Sequence, residues 1–287
     1  MKKTLKGIFY YTINYLKLKK LGNIKNFSVT VNDCKLEVIP GDLGISAELL
    51  LFNTHEPVAT QLFLKFVKPG FTCIDIGSNI GYYACLESKI VGKDGKVFSI
   101  EPSPLNYKYL EKNLKNLNTE NFEIFNFAFG DKDGEVKFAV SDRSNWSRIV
   151  KDDEPTDLIN DNIKIITVPI KTIDTFVSEN KIEKIDLIRM DVEGFELSIY
   201  DGMKETIKKF KPLLQIEIHN LIIGNKKTVQ FLQSLKSDDY QTKFYLEKDM
   251  DLPIIGSLED VKTTNIDQLI KLAEDDTLPY TFHVFLE

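Results

Sequence analysis

The sequence predicts an α/β fold built on an open, doubly wound, mostly parallel sheet, and three observations lead to it. From Phe71 to Asn220, short apolar runs of strand length alternate with amphipathic runs of helix length, the order produced by parallel strands joined through crossover helices. The run Phe71–Ile76 breaks at a turn with glycines at Gly77 and Gly81, then continues as a helix from Tyr82 to Ile90, a strand–turn–helix unit suited to a nucleotide-type ligand. The polar residues of this region gather where strands end: Gly77 to Gly81, Glu101, Asp191 with Glu193, and His219. In open parallel sheets that edge is where ligands bind.

A chain of 287 residues is long enough for one large α/β domain with additions, or for two small ones. With 43% hydrophobic and 28% charged residues it has the balance of a soluble protein with ample material for a core. A formal net charge of −6 argues against a general nucleic-acid binder. The three cysteines, Cys34, Cys73 and Cys85, have no zinc-ligand spacing and form no disulfide framework. They read as buried apolar side chains in a cytoplasmic protein.

Taken in order, the first 25 residues carry seven lysines and no carboxylate, with Leu5, Ile8, Phe9, Thr12, Ile13 and Leu16 at helical spacing. The apolar part is too short to span a bilayer and lacks the cleavage site of a secretory signal. Two readings stand: a helix packed on its own domain with solvated lysines, the preferred one, or peripheral membrane contact through residues 1–21. Phe27 to Ile39 alternates as a strand or hairpin arm, and Pro40-Gly41 marks a turn. Residues 1–57 are read as an N-terminal helical and β extension, and 58–287 as the ligand-binding domain. Glu56 stands at the entry of a helix over Val58–Val67, as a helix-dipole partner or near a ligand ammonium.

In the central strand, Asp75 is an acid inside an apolar run, where an unpaired carboxylate is costly. Its expected compensation is the N–H groups of the following turn or a cationic ligand, and those N–H groups are expected to face an anionic or polar group. A dinucleotide fingerprint needs a glycine where Asn79 stands, which counts against a pyrophosphate. The spacing D-x-G-x-x-x-G over Asp75, Gly77 and Gly81 instead resembles the first motif of class I methyltransferases that use S-adenosylmethionine. Lys96–Ile100 is the second strand, ending in Glu101-Pro102, where a carboxylate holds a ribose diol whether the ligand is NAD or S-adenosylmethionine. Ser103 caps a helix over Pro104–Leu117.

Phe122–Phe129 is the third strand. The resemblance to class I methyltransferases implies the adenine edge at Asn126–Phe129, with backbone and an apolar wall from Phe127 or Ala128, while a core strand explains the aromatics as well. Glu135–Val140 is a hairpin arm. Ser141–Asn162 is polar, carries the only tryptophan, Trp146, and has the length of a lid. Ile163–Ile170 is a strand and Thr172–Ser178 a short helix. Ile185–Met190 is the fourth core strand, followed by Asp191-Val192-Glu193-Gly194 and a helix over Glu196–Phe210. Pro212–Ile218 is the fifth, ending at His219-Asn220. A helix at Thr228–Ser237 and strands at Lys243–Leu246 and Tyr280–Leu286 complete the pattern.

With those residues in place, the chain resembles the FkbM family of S-adenosylmethionine-dependent methyltransferases over roughly Leu43 to Asn220. The likeness rests on His55-Glu56-Pro57, the turn from Ile74 to Tyr83, Glu101-Pro102-Ser103, Ala128-Phe129-Gly130-Asp131 with Gly134-Glu135, and Met190-Asp191-Val192-Glu193-Gly194-Phe195-Glu196. The resemblance implies a class I, Rossmann-like, seven-stranded sheet of order 3-2-1-4-5-7-6 and methyl transfer mainly to hydroxyl oxygen, on small molecules, sugars or glycans. Carried over by position, Asp75, Gly77, Asn79, Gly81 and Glu101 would hold the cofactor, S-adenosyl-L-methionine, with Glu56, Ser78, Pro102, Phe127, Ala128 and Asp191 completing the set.

Removing the hydroxyl proton calls for a general base. His219 is the first candidate, because imidazole titrates near neutral pH, and Glu193 and Glu217 are the others. A divalent cation on Asp191, Glu193, Glu217 and His219 could acidify the hydroxyl instead, but no spacing motif demands it and no metal is expected. The rival readings are an NAD-dependent oxidoreductase and a non-catalytic membrane-surface module. A nucleic-acid methyltransferase is disfavoured, since Asp191–Gly194 is not an N/D-P-P-Y/F motif.

Overall fold

The computed structural model describes residues 27–150, 163–253 and 256–287. Its first element is the hairpin of β1 (Phe27–Val31) and β2 (Cys34–Val38), antiparallel about Asn32 and Asp33, which both adopt the left-handed φ of a tight hairpin turn. Helix α1 (Ile45–Phe52) comes next, then α2 (Pro57–Phe66), β3 (Thr72–Ile76), α3 (Tyr82–Val91), β4 (Lys96–Ile100) and α4 (Pro104–Lys115). The chain continues through β5 (Phe122–Phe125), β6 (Ala128–Phe129), β7 (Gly134–Val140), β8 (Arg148–Ile149), β9 (Lys164–Lys171) and α5 (Ile173–Glu179). The last part holds β10 (Leu187–Met190), α6 (Glu196–Asp201), α7 (Lys204–Phe210), β11 (Leu213–Ile218), α8 (Asn220–Ile223), α9 (Asn225–Ser237), β12 (Thr242–Glu247), α10 (Ile266–Glu274) and β13 (Phe282–Leu286).

Seven strands form one sheet in the order β5-β4-β3-β10-β11-β13-β12. Neighbours from β5 to β11 are parallel, and β13 runs antiparallel to both β11 and β12. Numbered along the chain, these strands give 3-2-1-4-5-7-6, the class I order that the resemblance implied. One face packs Ile74, Ile76, Phe98, Ile100, Ile188 and Ile216 against α5, α6, α7 and α9, and the other packs Cys73, Val97 and Leu187 against α2, α3 and α4. The β1–β2 hairpin shares the second core, and Asn113 of α4 ties it down: its side chain bonds the Glu37 backbone and reaches the Ile80 carbonyl in the glycine turn.

Two expected elements divide. The strand read over Phe122–Phe129 leaves the central sheet at Asn126, whose amide donates to the carbonyls of Glu101 and Pro102, and β6 joins a second sheet, β6-β9-β7-β8. The helix read over Glu196–Phe210 breaks at Gly202, where a Cβ would run into the Gly130 carbonyl, so that α6 and α7 are separate. Helix α1 was not anticipated, because its run of apolar residues carries no periodic stripe. The basic helix expected over residues 1–21 and residues 151–162 of the polar segment lie outside the described residues. No described helix is long and apolar enough to cross a membrane.

Candidate active site

Strand order reverses between β3 and β10: the chain runs outward through β4 and β5 on one side and later through β11 on the other. The crevice beyond their carboxyl ends is therefore the ligand position of such a sheet. Gly77, with φ +79°, closes the turn after β3 so tightly that a Cβ would collide with the Asp191 carbonyl after β10. One N–H group of this turn meets a carboxylate, as the sequence suggested, but that carboxylate is the chain's own Glu101, and others bond to backbone carbonyls. Those of Gly77 and Ser78 donate to the Ile100 carbonyl at 3.0 Å each, that of Asn79 to Glu101 Oε2 at 2.9 Å, and that of Gly81 to the Ser78 carbonyl.

Two clefts meet over this turn, sharing Gly77, Asn79, Asn145, Asp191 and Glu193. The first, of about 600 Å³, has apolar walls from Ile76, Ile100, Ala128, Phe129, Phe138 and Ile149. Glu101 stands in it, its carboxylate fixed by the backbone N–H groups of Ser103 at 2.7 Å and Asn79 at 2.9 Å. Burial pushes this carboxyl up to about 7 against the pull of those bonds. The side-chain oxygens of Asn79 and Asn145 are buried without a partner among the described residues. Both residues line the place where the clefts join, but the Asn145 oxygen points back at Gly44, where a Cβ would lie 2.2 Å from it.

The second cleft, of about 780 Å³, gathers five carboxylates (Glu48, Glu56, Asp191, Glu193 and Glu217) against Arg189, Lys248, His55 and His219. His219 follows β11; its Nδ1 lies 2.5 Å from Glu196 Oε1 and its Nε2 3.3 Å from Glu193 Oε2. Glu196 also accepts from the Gly194 N–H, which fixes the carboxylate and, through it, the ring. Burial works against charge on His219, but Glu193, Glu196 and Glu217 outweigh it and raise its pKa well above the ordinary value. The premise that this imidazole titrates near neutrality is thus corrected: three acids surround it. Glu193, held at a left-handed φ of 53°, is pushed up to about 8 by burial, with His219 opposing.

Lys248, from the turn after β12, pairs with Glu56 and lies 2.9 Å from Glu217 Oε1. Glu217 is therefore engaged by an ammonium and is the weaker base candidate. Burial disfavours the Glu56 carboxylate, yet Lys248, His55, His283 and Arg189 together hold it well below the usual range. Among the described residues, two sets of ligand atoms lie close enough for a cation: Asp191 with Glu217 and His219, and Glu56 with Asp251 and His283. The Lys248 ammonium already neutralises the carboxylates Glu56 and Glu217, one from each set.

Beneath both clefts a polar row crosses the sheet, Ser99–Asp75–Arg189–Gln215 in register. Arg189 bridges Asp75 Oδ1 and Asp191 Oδ2 at 3.0 Å each and stacks on Tyr83 at 3.9 Å, whose hydroxyl donates to Glu56. The compensation of Asp75 Oδ1 thus comes from a residue of β10 and not from the turn N–H groups, while its Oδ2 is buried without a partner among the described residues.

Of the residues singled out from sequence, Glu101, Pro102 and Ala128 line the apolar cleft, Glu56, Ser78, Glu217 and His219 the acidic one, and Gly77, Asn79, Asp191 and Glu193 both. Three line neither. Asp75 is fully buried under Arg189, Gly81 packs against Leu110, and Phe127 turns into a ring cluster with Phe125, Phe129 and Phe176. Sequence reasoning missed Arg189, Glu196, Lys248 and Asn145. The first had a signal, since a lone cation in an apolar strand mirrors the lone acid in β3.

The family description that matches the chain is the methyltransferase FkbM domain, over residues 75–242. The 2-O-methyltransferase NoeI of Sinorhizobium fredii is 29% identical over 161 residues, which cover 53% of this chain and 65% of NoeI, just under two thirds of that protein. The hexuronic acid methyltransferase AglP of Haloferax volcanii is 26% identical over 195 residues, 66% of this chain and 72% of AglP. Among solved structures, a methyltransferase FkbM from Methylobacillus flagellatus shares 16% identity at a TM-score of 0.45, covering 83% of this chain and 52% of that one.

Proposed function

The chain belongs to the FkbM methyltransferase family, and from that premise we propose that it transfers a methyl group from S-adenosylmethionine to a hydroxyl oxygen of a sugar or similar small polyol. The observation that carries this reading is the pairing of clefts: an apolar one holding a fixed carboxylate, joined to an acidic one in which an imidazole is locked by Glu196. The residues fit the cofactor. Glu101 would take the ribose diol, the apolar walls the base, and the unpartnered oxygen of Asn79 an amino or hydroxyl donor. Asp191 and Glu193, which border both clefts, are acidic side chains suited to a ligand that carries a sulfonium and an ammonium.

The bound cofactor supplies an electrophilic methyl on a cationic sulfur, which an oxygen nucleophile displaces in line. What the chain must do is hold the hydroxyl and receive its proton. His219 Nε2 faces the acidic cleft while Nδ1–H is held by Glu196, so Nε2 is the atom that takes that proton. Asp191 and Glu193 border both clefts and lie where acceptor and cofactor would meet. The NAD alternative is weakened because the turn has spent on Ile100 and Glu101 the N–H groups a pyrophosphate would need.

Calorimetry with S-adenosylmethionine, S-adenosylhomocysteine and NAD tests this, followed by assay of labelled methyl transfer to methyl glycosides. Binding of the two adenosyl ligands with transfer to oxygen is expected. Binding of NAD alone would overturn the reading.

A further inference from the structure

Trp146 is the only tryptophan in the chain, and it is left 56% exposed while bordering the acidic cleft. It does not sit on a loose loop. The short helical turn Ser144–Trp146 is pinned from below by the buried Asp42, whose Oδ1 accepts from the Ser144 N–H at 2.9 Å and whose Oδ2 accepts from the Ser144 hydroxyl at 2.8 Å. The same carboxylate caps the approach to α1 through the N–H groups of Gly44 and Ser46, and Asn106 of α4 donates to the Ser144 carbonyl. Arg143 lies over the indole at 4.1 Å, which further restricts its orientation. Other exposed apolar side chains are scattered over the surface, but this indole is held still at the rim of a cleft, where it offers an apolar face to whatever enters.

Resting on the reading of this site as a hydroxyl methylase, we propose that Trp146 is the stacking platform of the acceptor, and that the acceptor is a pyranoside. The ring recognises an apolar face, while the rest of the cleft offers hydrogen-bonding side chains: Glu48 and Glu193, each with one oxygen turned to a histidine and the other left for a ligand. A pyranose has both complements, a C–H face that packs against the negative π surface and a rim of hydroxyl donors. A flat phenolic acceptor would satisfy the indole but leave those side chains unused. Trp146 in this account is a specificity residue that touches the acceptor and leaves the cofactor cleft alone, which it does not line.

Because the chain has one tryptophan, its emission reads the contact directly. The protein saturated with S-adenosylhomocysteine is titrated with methyl α-D-glucopyranoside, methyl α-D-mannopyranoside, methyl α-L-fucopyranoside and phenol. A saturable change in emission with at least one pyranoside is expected. By calorimetry Trp146→Ala should weaken that sugar about tenfold or more. Trp146→Phe should recover most of the loss, and S-adenosylhomocysteine should bind both variants within about twofold of the parent. No response to any pyranoside, a response to phenol alone, or undiminished sugar binding by Trp146→Ala would each overturn the proposal. Failure of the parent protein to bind S-adenosylhomocysteine would instead overturn the functional reading beneath it.

Discussion

The apolar and the acidic cleft share Gly77, Asn79, Asn145, Asp191 and Glu193, but their remaining walls are opposites. Branched and aromatic side chains close the first around Glu101, whereas the second crowds three further acids and four basic side chains into one space. Apolar walls yield binding in proportion to the area covered and with little demand on direction. Packed charges are costly to desolvate and shift one another's pKa values, so a fold keeps them where proton position matters. Under the proposed methyl transfer the contrast amounts to a division of labour: one cleft would hold by shape, and the other would set the protonation of the reacting atoms.

The largest expected effect separates those two roles. His219→Ala should lower kcat by about 10²–10⁴, the usual yield of a positioned base. S-adenosylhomocysteine affinity should stay within about threefold. A parallel loss of cofactor affinity would break the division. Next comes the row under both clefts. Arg189→Leu leaves Asp75 buried with no cation, and the fold should lose about 3–5 kcal/mol in urea unfolding. Unchanged stability would mean that Asp75 is held by something other than Arg189. Smaller again is Glu101→Gln, which removes a charge that would accept from two hydroxyls. Cofactor affinity should fall by about 1.5–3 kcal/mol while kcat at saturation changes less than about threefold.

How much of this could be read in advance depends on how local the cause is. Strands β3, β4, β10 and β11 were legible because each is a short apolar run closed by its own turn or polar terminus, and Ser103 was legible as a cap because its partner, Asn106, lies three residues on. The same logic found Glu101, Glu193 and His219, each at the end of its own strand. What escaped depends on register between distant segments. Arg189 stands beside Asp75 only because β10 pairs with β3, across a sequence separation of 114. Lys248 reaches Glu56 across 192 residues from a turn with no periodicity. The breaks at Asn126 and Gly202 have causes of the same long range, an amide reaching back to Glu101 and a loop at Gly130. Spacing along one strand cannot report such contacts, although complementary lone charges in two apolar runs come close.

The finest test asks whether the acidic cleft tunes His219 through Glu196. A base must be unprotonated to act, and His219 is surrounded by Glu193 from the loop after β10, Glu196 of α6 and Glu217 of β11, with Lys248 beyond Glu217. Burial favours the neutral ring, but the carboxylates prevail, so its folded pKa lies above the ordinary imidazole value. The rate should therefore rise with pH along a limb on the alkaline side of that value, not level off near neutrality. Glu196→Gln keeps an oxygen for Nδ1–H and removes one of the charges that raise the pKa. The limb should move toward lower pH, and the plateau should drop, because a less basic imidazole draws the proton less strongly. That drop should be smaller than the loss in His219→Ala, since the ring and its orientation persist. A pH–rate profile of kcat/KM for parent and variant settles the direction. A limb that stays in place in Glu196→Gln would remove His219 as the group that titrates and pass the role to Glu193, whose own carboxyl is held near 8.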